Sequence, residues 1–338
     1  STATTDPGPK PDIPVAYAVV DAKPVNARFQ RRGDPEQLGD EVPRRWLTVF
    51  GGNAITTSQE SGRREIADWI AKNPLTARVM VNRIWQWHFG RGLVTTPNNF
   101  GSRGERPSHP ELLDWLAAEF VANGYGLKEM HRLIMHTAAY QRSSEQPQEW
   151  FEADSNNRLV GRFSRRRLSA EEIRDSLLQV SGQLDPAPAQ SHPFPDESTW
   201  KFTQHDPFNA VYDTNRRSAY LMVQRQRRHP FLALFDGADP NASTPARQTS
   251  TVPTQALYFL NDPFFHAQAA ALADRLSELD DDNDRIQHVY RIVFQRPPTE
   301  SERKTGSNFM QQYPAEAVEK WRAYSRVLLA SNEFIHVD

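Results

Sequence analysis

Apolar residues recur at helical spacing along most of the chain, the clearest strand-like runs lie at its start, and Tyr220–Val223 reads as strand or helix. The clearest stretch, Asn73 to Leu116, reads NPLTARVMVNRIWQWHFGRGLVTTPNNFGSRGERPSHPELLDWL. At about 100° per residue, Ala77, Met80, Val81, Ile84, Trp85 and His88 share one face of a helix predicted over Leu75–Phe89. Its back carries Leu75, Val79 and Phe89, interrupted by Arg78, Asn82 and Gln86. A helix apolar nearly all round is usually buried, so this one is expected to be an inner rod that later helices wrap. Gly90 and Gly92 end it, because glycine accepts a left-handed cap. Ser108 to Glu111 reads as a capping box opening a helix over Glu111–Asn123, with Leu112, Leu113, Leu116 and Phe120 inward.

Upstream, Ser1–Pro14 is rich in Thr and Pro and reads as a linker. Two short β-like runs, Val15–Val20 and Val25–Phe29, flank Pro24 and predict a small hairpin or edge sheet. Arg31-Arg32-Gly33-Asp34 and Gly39-Asp40 read as turns, and a helix over Arg63–Ala71 should turn Ile66, Trp69 and Ile70 inward. Downstream, Leu127–Ala139 is predicted helical and Ser144–Asn157 is polar. A second capping box, Ser169–Glu172, opens a helix with Ile173, Leu177, Leu178 and Val180 inward. The segment Gln183–Pro195 is a Pro-rich break, Trp200–Asp213 reads as loop or short strand, and Asp239–Pro253 is irregular. Helices then follow over Thr254–Leu260, from Asp262-Pro263 to Leu279 with Ala269, Leu272, Ala273 and Leu276 packed, and over Arg285–Phe294. After Pro297-Pro298 comes a third capping box, Thr299–Glu302, and a last helix over Ala315–Ala330 packs Trp321, Tyr324, Val327 and Leu328. The pattern predicts a mainly α, multi-helix globular domain around a buried central helix, with a small β hairpin near the N-terminus. Residues 1–14 are the linker, 15–182 the hairpin plus helical core, and 183–338 a C-terminal helical part packed on it as one unit.

Composition narrows the chemistry. The chain has 338 residues, a net charge of −2, 24% charged residues and no cysteine. That excludes disulfides, thiolate metal sites, a Cys nucleophile and c-type haem attached to this chain through C-x-x-C-H. The balanced charge argues against a nucleic-acid partner, and no apolar run approaches the roughly 18 residues of a membrane span. An opening on Ser1 rather than Met suggests a mature fragment or a piece of something longer.

Arginines gather at Arg162, Arg165, Arg166 and Arg167, and again at Arg216, Arg217, Arg225, Arg227 and Arg228 with His229. Guanidinium forks suit carboxylates and phosphates, so an anion site, for an acidic sugar or a cofactor carboxylate, is one reading. The other is intramolecular pairing, with Arg167, Glu171, Arg174 and Asp175 spaced for an ion-pair ladder on one helix. The acids Asp280, Asp281, Asp282 and Asp284 lack the Gly and distal Glu of a calcium loop and read as a solvated helix start. His88, His109, His131 and His136 show no metal-ligand spacing, so no metal is expected. His88 reads as a hydrogen-bonded core histidine and His109 as a first-turn residue. The nucleophile elbow, the phosphate-binding loop and the dinucleotide fingerprint are all missing.

Longer blocks carry a resemblance. GRREIADWIAKNPLTARVMVNRIWQWHFGRGLVTTPNNFG, RPSHPELLDWLAAEF, RRLSAEEIRDSLLQVSGQLD, NRRSAYLMVQRQRRHPFLALFD, PARQTSTVPTQALYFLNDPF and LLASNEFIHVD resemble the planctomycete-specific C-terminal domain of unknown function, the PSD family, over Val15–Asp338. The resemblance implies an exported, extracytoplasmic setting beside a haem-c domain or subunit and a companion domain of unknown function. It supplies no catalytic residue. The motif-matching positions it marks are Asn82, Arg83, Trp85, His88, His109, Asp114, Arg174, Asp175, Arg217, Arg247, Asn261 and Asp262. Where the family often has Gly-Gly-Pro after Ser-Gly-x-Leu-Asp, this chain has Pro186-Ala187-Pro188-Ala189, which puts any glycine-dependent backbone contact there in doubt. The expectation is a helical interaction module with no cofactor of its own, haem residing on a partner. The alternative is an enzyme acting on a glycan or sugar, by acid–base chemistry or by oxidation with an external haem. A third reading has the polar residues only tying helices together.

Overall fold

The computed structural model describes residues 20–21, 24–55, 60–189, 192, 196–203, 205–206, 208 and 210–337. Among these residues the chain forms twelve α-helices and two two-stranded antiparallel sheets, so it is mainly α. It divides into two compact units, residues 1–80 and 81–338.

In the first unit, β1 (Ala27–Gln30) pairs with β2 (Leu38–Val42) around a turn in which Arg32 and Gly33 have φ of 54° and 78°. A small hairpin is therefore there, but it joins the end of the Val25–Phe29 run to Leu38–Val42, through Gly39-Asp40, which the sequence pattern reads as a turn. The left-handed pair at Arg32-Gly33 already reverses the chain, leaving the next residues free to pair. The run Val15–Val20 lies outside the described residues except for Val20. Helix α1 (Arg63–Lys72) stacks Trp69 on Trp46 at 5.4 Å between ring centroids, with Phe50 edge-on at 5.3 Å. Ile66 and Ile70, expected inward, are 46% and 47% exposed. Trp69 takes the aromatic surface this small unit offers, and the two isoleucines flank it in the open.

Helix α2 (Pro74–Phe89) crosses the division between the units. It buries Ala77, Val81, Ile84 and Trp85 as the pattern predicts, and Asn82 and Phe89 from its back as well. Helix α3 (Pro110–Ala122) starts one residue later than the Ser108 capping box requires. Pro110 occupies the first helical position, which proline favours because it has no N–H to orphan. His109 is therefore the cap residue, and its ring is hydrogen-bonded to the Ser108 hydroxyl at 3.0 Å. Helix α4 (Leu127–Met135) ends four residues before Ala139. A short α5 (Gln148–Ala153) forms in the polar stretch.

The largest apolar cluster lies elsewhere. Helices α6 (Ala170–Ser181), α7 (Pro230–Leu234), α8 (Pro253–Asn261), α9 (Pro263–Leu276), α10 (Asp282–Phe294), α11 (Glu300–Gln312) and α12 (Ala317–Leu329) converge on it. The helix with most neighbours is α9, which packs on α6, α8, α10 and α12. Its Phe265, Ala269, Leu272 and Leu276 are fully buried. Two-residue strands β3 (Arg166–Arg167) and β4 (His336–Val337) close the chain end onto the start of α6. Val327, expected to pack, is 59% exposed, while Trp321, Tyr324 and Leu328 are buried.

Two of the three capping boxes form, Ser169–Glu172 and Thr299–Glu302. Burial opposes the charge on Glu172, but two hydrogen bonds from Arg166, at 2.9 and 3.0 Å, and one from the Ser169 amide outweigh it and hold the carboxyl at about 2. Arg296 and Thr299 likewise hold Glu302 at about 2. A carboxyl depressed in the folded state stabilises it above the unfolded value, near 4.5, and that contribution is lost as pH falls toward about 2. The urea midpoint should therefore drop between pH 5 and pH 3. Glu302→Gln should show a shallower drop, and added salt should flatten both, because the pairs are partly exposed.

Candidate functional site

Residues of α6, α7, α8 and α9 and of the irregular segment 211–215 surround a cavity of about 930 Å3. The turn between α8 and α9 builds one wall. Asp262 caps α9, its carboxylate accepting from the Phe264 amide at 2.9 Å and the Phe265 amide at 3.4 Å, with Pro263 in the first helical position. One turn earlier, the buried Tyr258 hydroxyl has the Asp262 carboxylate as its neighbour, without a well-aligned hydrogen bond to it. Burial and the neighbouring Asp262 charge push its pKa well above the ordinary value, so it stays protonated.

Opposite, Arg174 of α6 is 5% exposed. Its guanidinium donates to the Arg216 carbonyl at 3.0 Å, the Ser218 hydroxyl at 3.3 Å and the Thr214 carbonyl, and lies 5.5 Å from the Phe264 ring centre. Beside it, the Asp175 carboxylate accepts from both the amide and the hydroxyl of Ser218 at 2.7 Å. The two adjacent charges of α6 thus clamp residues 214–218, which lie outside any α-helix or strand. His229, the cap residue of α7, has a buried Nδ1 without a partner. Burial first, and the positive Arg174 second, lower its pKa, while Asp213 opposes them; the imidazole is neutral at pH 7. The cavity therefore holds a neutral base near a carboxylate, and a protonated phenol near another, among mainly apolar walls.

Of the positions marked in the sequence, Arg174 and Asp262 line this cavity. Asp175 acts one step behind it, and Arg217 begins the turn Ser218–Tyr220 that Asp175 holds. Arg247 pairs with Glu171 at 2.8 Å, and the Asn261 amide donates to the Leu257 carbonyl within α8. The others engage elsewhere. Asn82 is fully buried and clamps Val94, donating to its carbonyl at 3.0 Å and accepting from its amide at 2.8 Å. A Cβ at Gly92 would lie 2.7 Å from both the Asn82 Nδ2 and the Val94 carbonyl oxygen, so the close approach requires glycine. Arg83 donates to Asn98 at 2.7 Å. His88 and His131 share a 2.8 Å hydrogen bond, and burial, then His131 and Arg166, lower the His88 pKa. Asp114 sits on the exposed side of α3.

The expected ladder on α6 does not form. Arg167 pairs with Asp236 and Glu171 with Arg247, while Arg174 and Asp175 approach only to 3.9 Å. Each partner offers a shorter bond to a segment packed on the helix than its neighbour along the helix can. The Asp280–Asp284 run is a helix start, with Asp281 capping α10. Among the described residues no group of three or more His, Asp or Glu is placed to hold a metal ion, and no helix is long and apolar enough to cross a membrane.

The fold and cavity define a helical domain with a partly open, mainly apolar pocket that carries a few polar groups. The chain belongs to a family of proteins of unknown function, PSD1 (DUF1553), whose model matches residues 62–310, a span containing every residue that lines the cavity. Neither the curated proteins nor the solved structures include a match to the chain.

Proposed function

We propose that the chain is a binding module whose α6–α9 cavity receives an apolar group carrying a hydrogen-bonding function. The observation that supports this is a pair of buried polar atoms on residues lining one cavity: His229 Nδ1, which finds no partner, and Tyr258 Oη, which has only the neighbouring Asp262 carboxylate, outside good hydrogen-bond geometry. A buried polar group left unpaired costs about 1–3 kcal/mol, and a ligand that hydrogen-bonds both removes that cost. On the family resemblance alone, the reading extends to an exported protein in which a haem-bearing domain, or the companion domain of unknown function, supplies that group.

The test uses 8-anilinonaphthalene-1-sulfonate as probe. Ala267 lines the cavity from the exposed side of α9, so Ala267→Trp fills the space without disturbing the core. The probe should light up with the unaltered chain and bind at least about tenfold more weakly to Ala267→Trp. Equal fluorescence from both would overturn the reading.

A second reading, acid–base catalysis on a glycan or sugar, is favoured by neutral His229 beside Asp213 and protonated Tyr258 beside Asp262 in one cavity. Loss of turnover in Tyr258→Phe with probe binding intact would support it over simple binding.

A further inference from the structure

A smaller cleft of about 310 Å3 shares no lining residue with the α6–α9 cavity. Its floor is apolar: Trp85 and Phe89 of α2, stacked at 4.2 Å between ring centroids. Its rim carries three arginines from three separate segments, Arg91 after α2, Arg106 before α3 and Arg158 after α5. All three are exposed, and among the described residues their guanidinium groups make no hydrogen bond or ion pair, Arg158 acting on the Asp154 carboxylate only at longer range. The contrast with Arg162, Arg166, Arg167 and Arg174, which are all engaged within the protein, is the first reason to read them as functional. Glu105 is the one acidic residue of the lining, so the cleft is positive.

The walls are built rather than loose. On one side the Asp154 carboxylate accepts from the Arg158 and Leu159 amides, each at 2.8 Å, and the Asn157 side chain donates to the Arg162 carbonyl and the Ser164 hydroxyl at 2.8 Å. These bonds hold Asn157 and Val160 at φ of 48° and 54°. That region is costly for a β-branched residue, so the polar anchors impose a backbone that sets Arg158 over the cleft. On the other side the Asn82–Val94 clamp and the Ser108 amide bonded to the Leu93 carbonyl at 2.9 Å fix the strand of chain bearing Arg91.

Unpaired guanidinium forks bind carboxylates and sulfates with directed, charge-assisted hydrogen bonds. Trp85 and Phe89, each 5% exposed, offer a small apolar patch at the floor against which the C–H groups of a ring can rest, and Ser108, Asn156 and Glu105 offer hydrogen bonds to hydroxyls. The volume lies at the small end of ligand sites, enough for one or two sugar units. The geometry points to a second binding site, for a carboxylated or sulfated sugar, with Arg91, Arg106 and Arg158 on the oxyanion and Trp85 and Phe89 beneath the ring. It is independent of the α6–α9 cavity.

Calorimetric titration of the full chain at low salt, with glucuronate, glucose 6-sulfate, glucose and inorganic sulfate as separate probes, tests this. At least one acidic sugar should bind, glucose should not, and inorganic sulfate should bind at least about tenfold more weakly than the better acidic sugar. Arg106→Gln and Arg158→Gln, exposed positions that leave the core alone, should each weaken that sugar about tenfold at an unchanged urea midpoint. Ala267→Trp should leave it unaltered, which separates this site from the larger cavity. Absence of acidic-sugar binding, equal binding of glucose, sulfate bound as tightly as the sugars (an adventitious ion only), or indifference to both arginine changes would overturn the proposal.

Discussion

Phe265→Ala is expected to destabilise the chain by about 3–5 kcal/mol, the largest effect of any single apolar truncation considered for this fold. Phe265 is fully buried in the first turn of α9, within 5.1 Å of the Phe259 ring centre and 6.4 Å of that of Tyr258. Truncating it loses the transfer free energy of the ring and leaves a void that α6, α8 and α12 cannot close without losing their own packing. The urea midpoint should fall with little change in slope. Val327→Ala on α12, at an exposed position, should stay within about 0.5 kcal/mol. A small effect at Phe265, or a larger one at Val327, would show that the core is not organised around α9.

That contrast bears on what the sequence makes legible. Helix existence and the packed faces of α6 and α9 follow from periodicity alone, because Ile173, Leu177, Ala269, Leu272 and Leu276 recur at i, i+3, i+4 and i+7. Which helix sits at the centre does not follow, because periodicity reports a buried face without naming what covers it. Helix α2 has the more conspicuous apolar pattern, yet Trp87 is 55% exposed and Leu75 38%. Helix α9 has a plainer sequence and more neighbours. Caps show the same limit: Ser108 and Glu111 have the spacing of a box, and a single proline between them moves the helix start.

The candidate site was legible at its corners and not along its sides. Asp262 stands out as an acid immediately before Pro263, and Arg174 as a charge beside the apolar face of a strong helix. The Tyr258 hydroxyl is the one side-chain polar group in the run Ala256–Leu260, four residues before Asp262, and that spacing is the signal the sequence holds for it. Asp213 and Thr214 belong to a segment with no period, placed by side chains more than 35 residues away in sequence, such as Arg174. No local pattern encodes that contact. His229 lies in an arginine-rich run whose charge draws attention away from it, and only burial reveals that its Nδ1 is unpaired.

Arg174→Met should cost about 2–4 kcal/mol and open the cavity wall. Methionine is close in length but donates nothing, so the Thr214 and Arg216 carbonyls and the Ser218 hydroxyl each lose a donor. Unsatisfied buried acceptors cost about 1–3 kcal/mol each. The sum is reduced because the guanidinium itself is desolvated, which lowers its pKa, and an apolar replacement recovers that penalty. Asp175 still holds Ser218, so the segment should loosen rather than detach. Tryptic cleavage after Arg216 and Arg217 reads this directly and should run faster in Arg174→Met than in the unaltered chain, with Arg174→Lys intermediate because it keeps the charge and loses the fork. Probe binding in the α6–α9 cavity should weaken in the same order. Cleavage and binding that stay unchanged in Arg174→Met would mean that 214–218 is held by its own contacts and that the α6 charges do not shape the pocket.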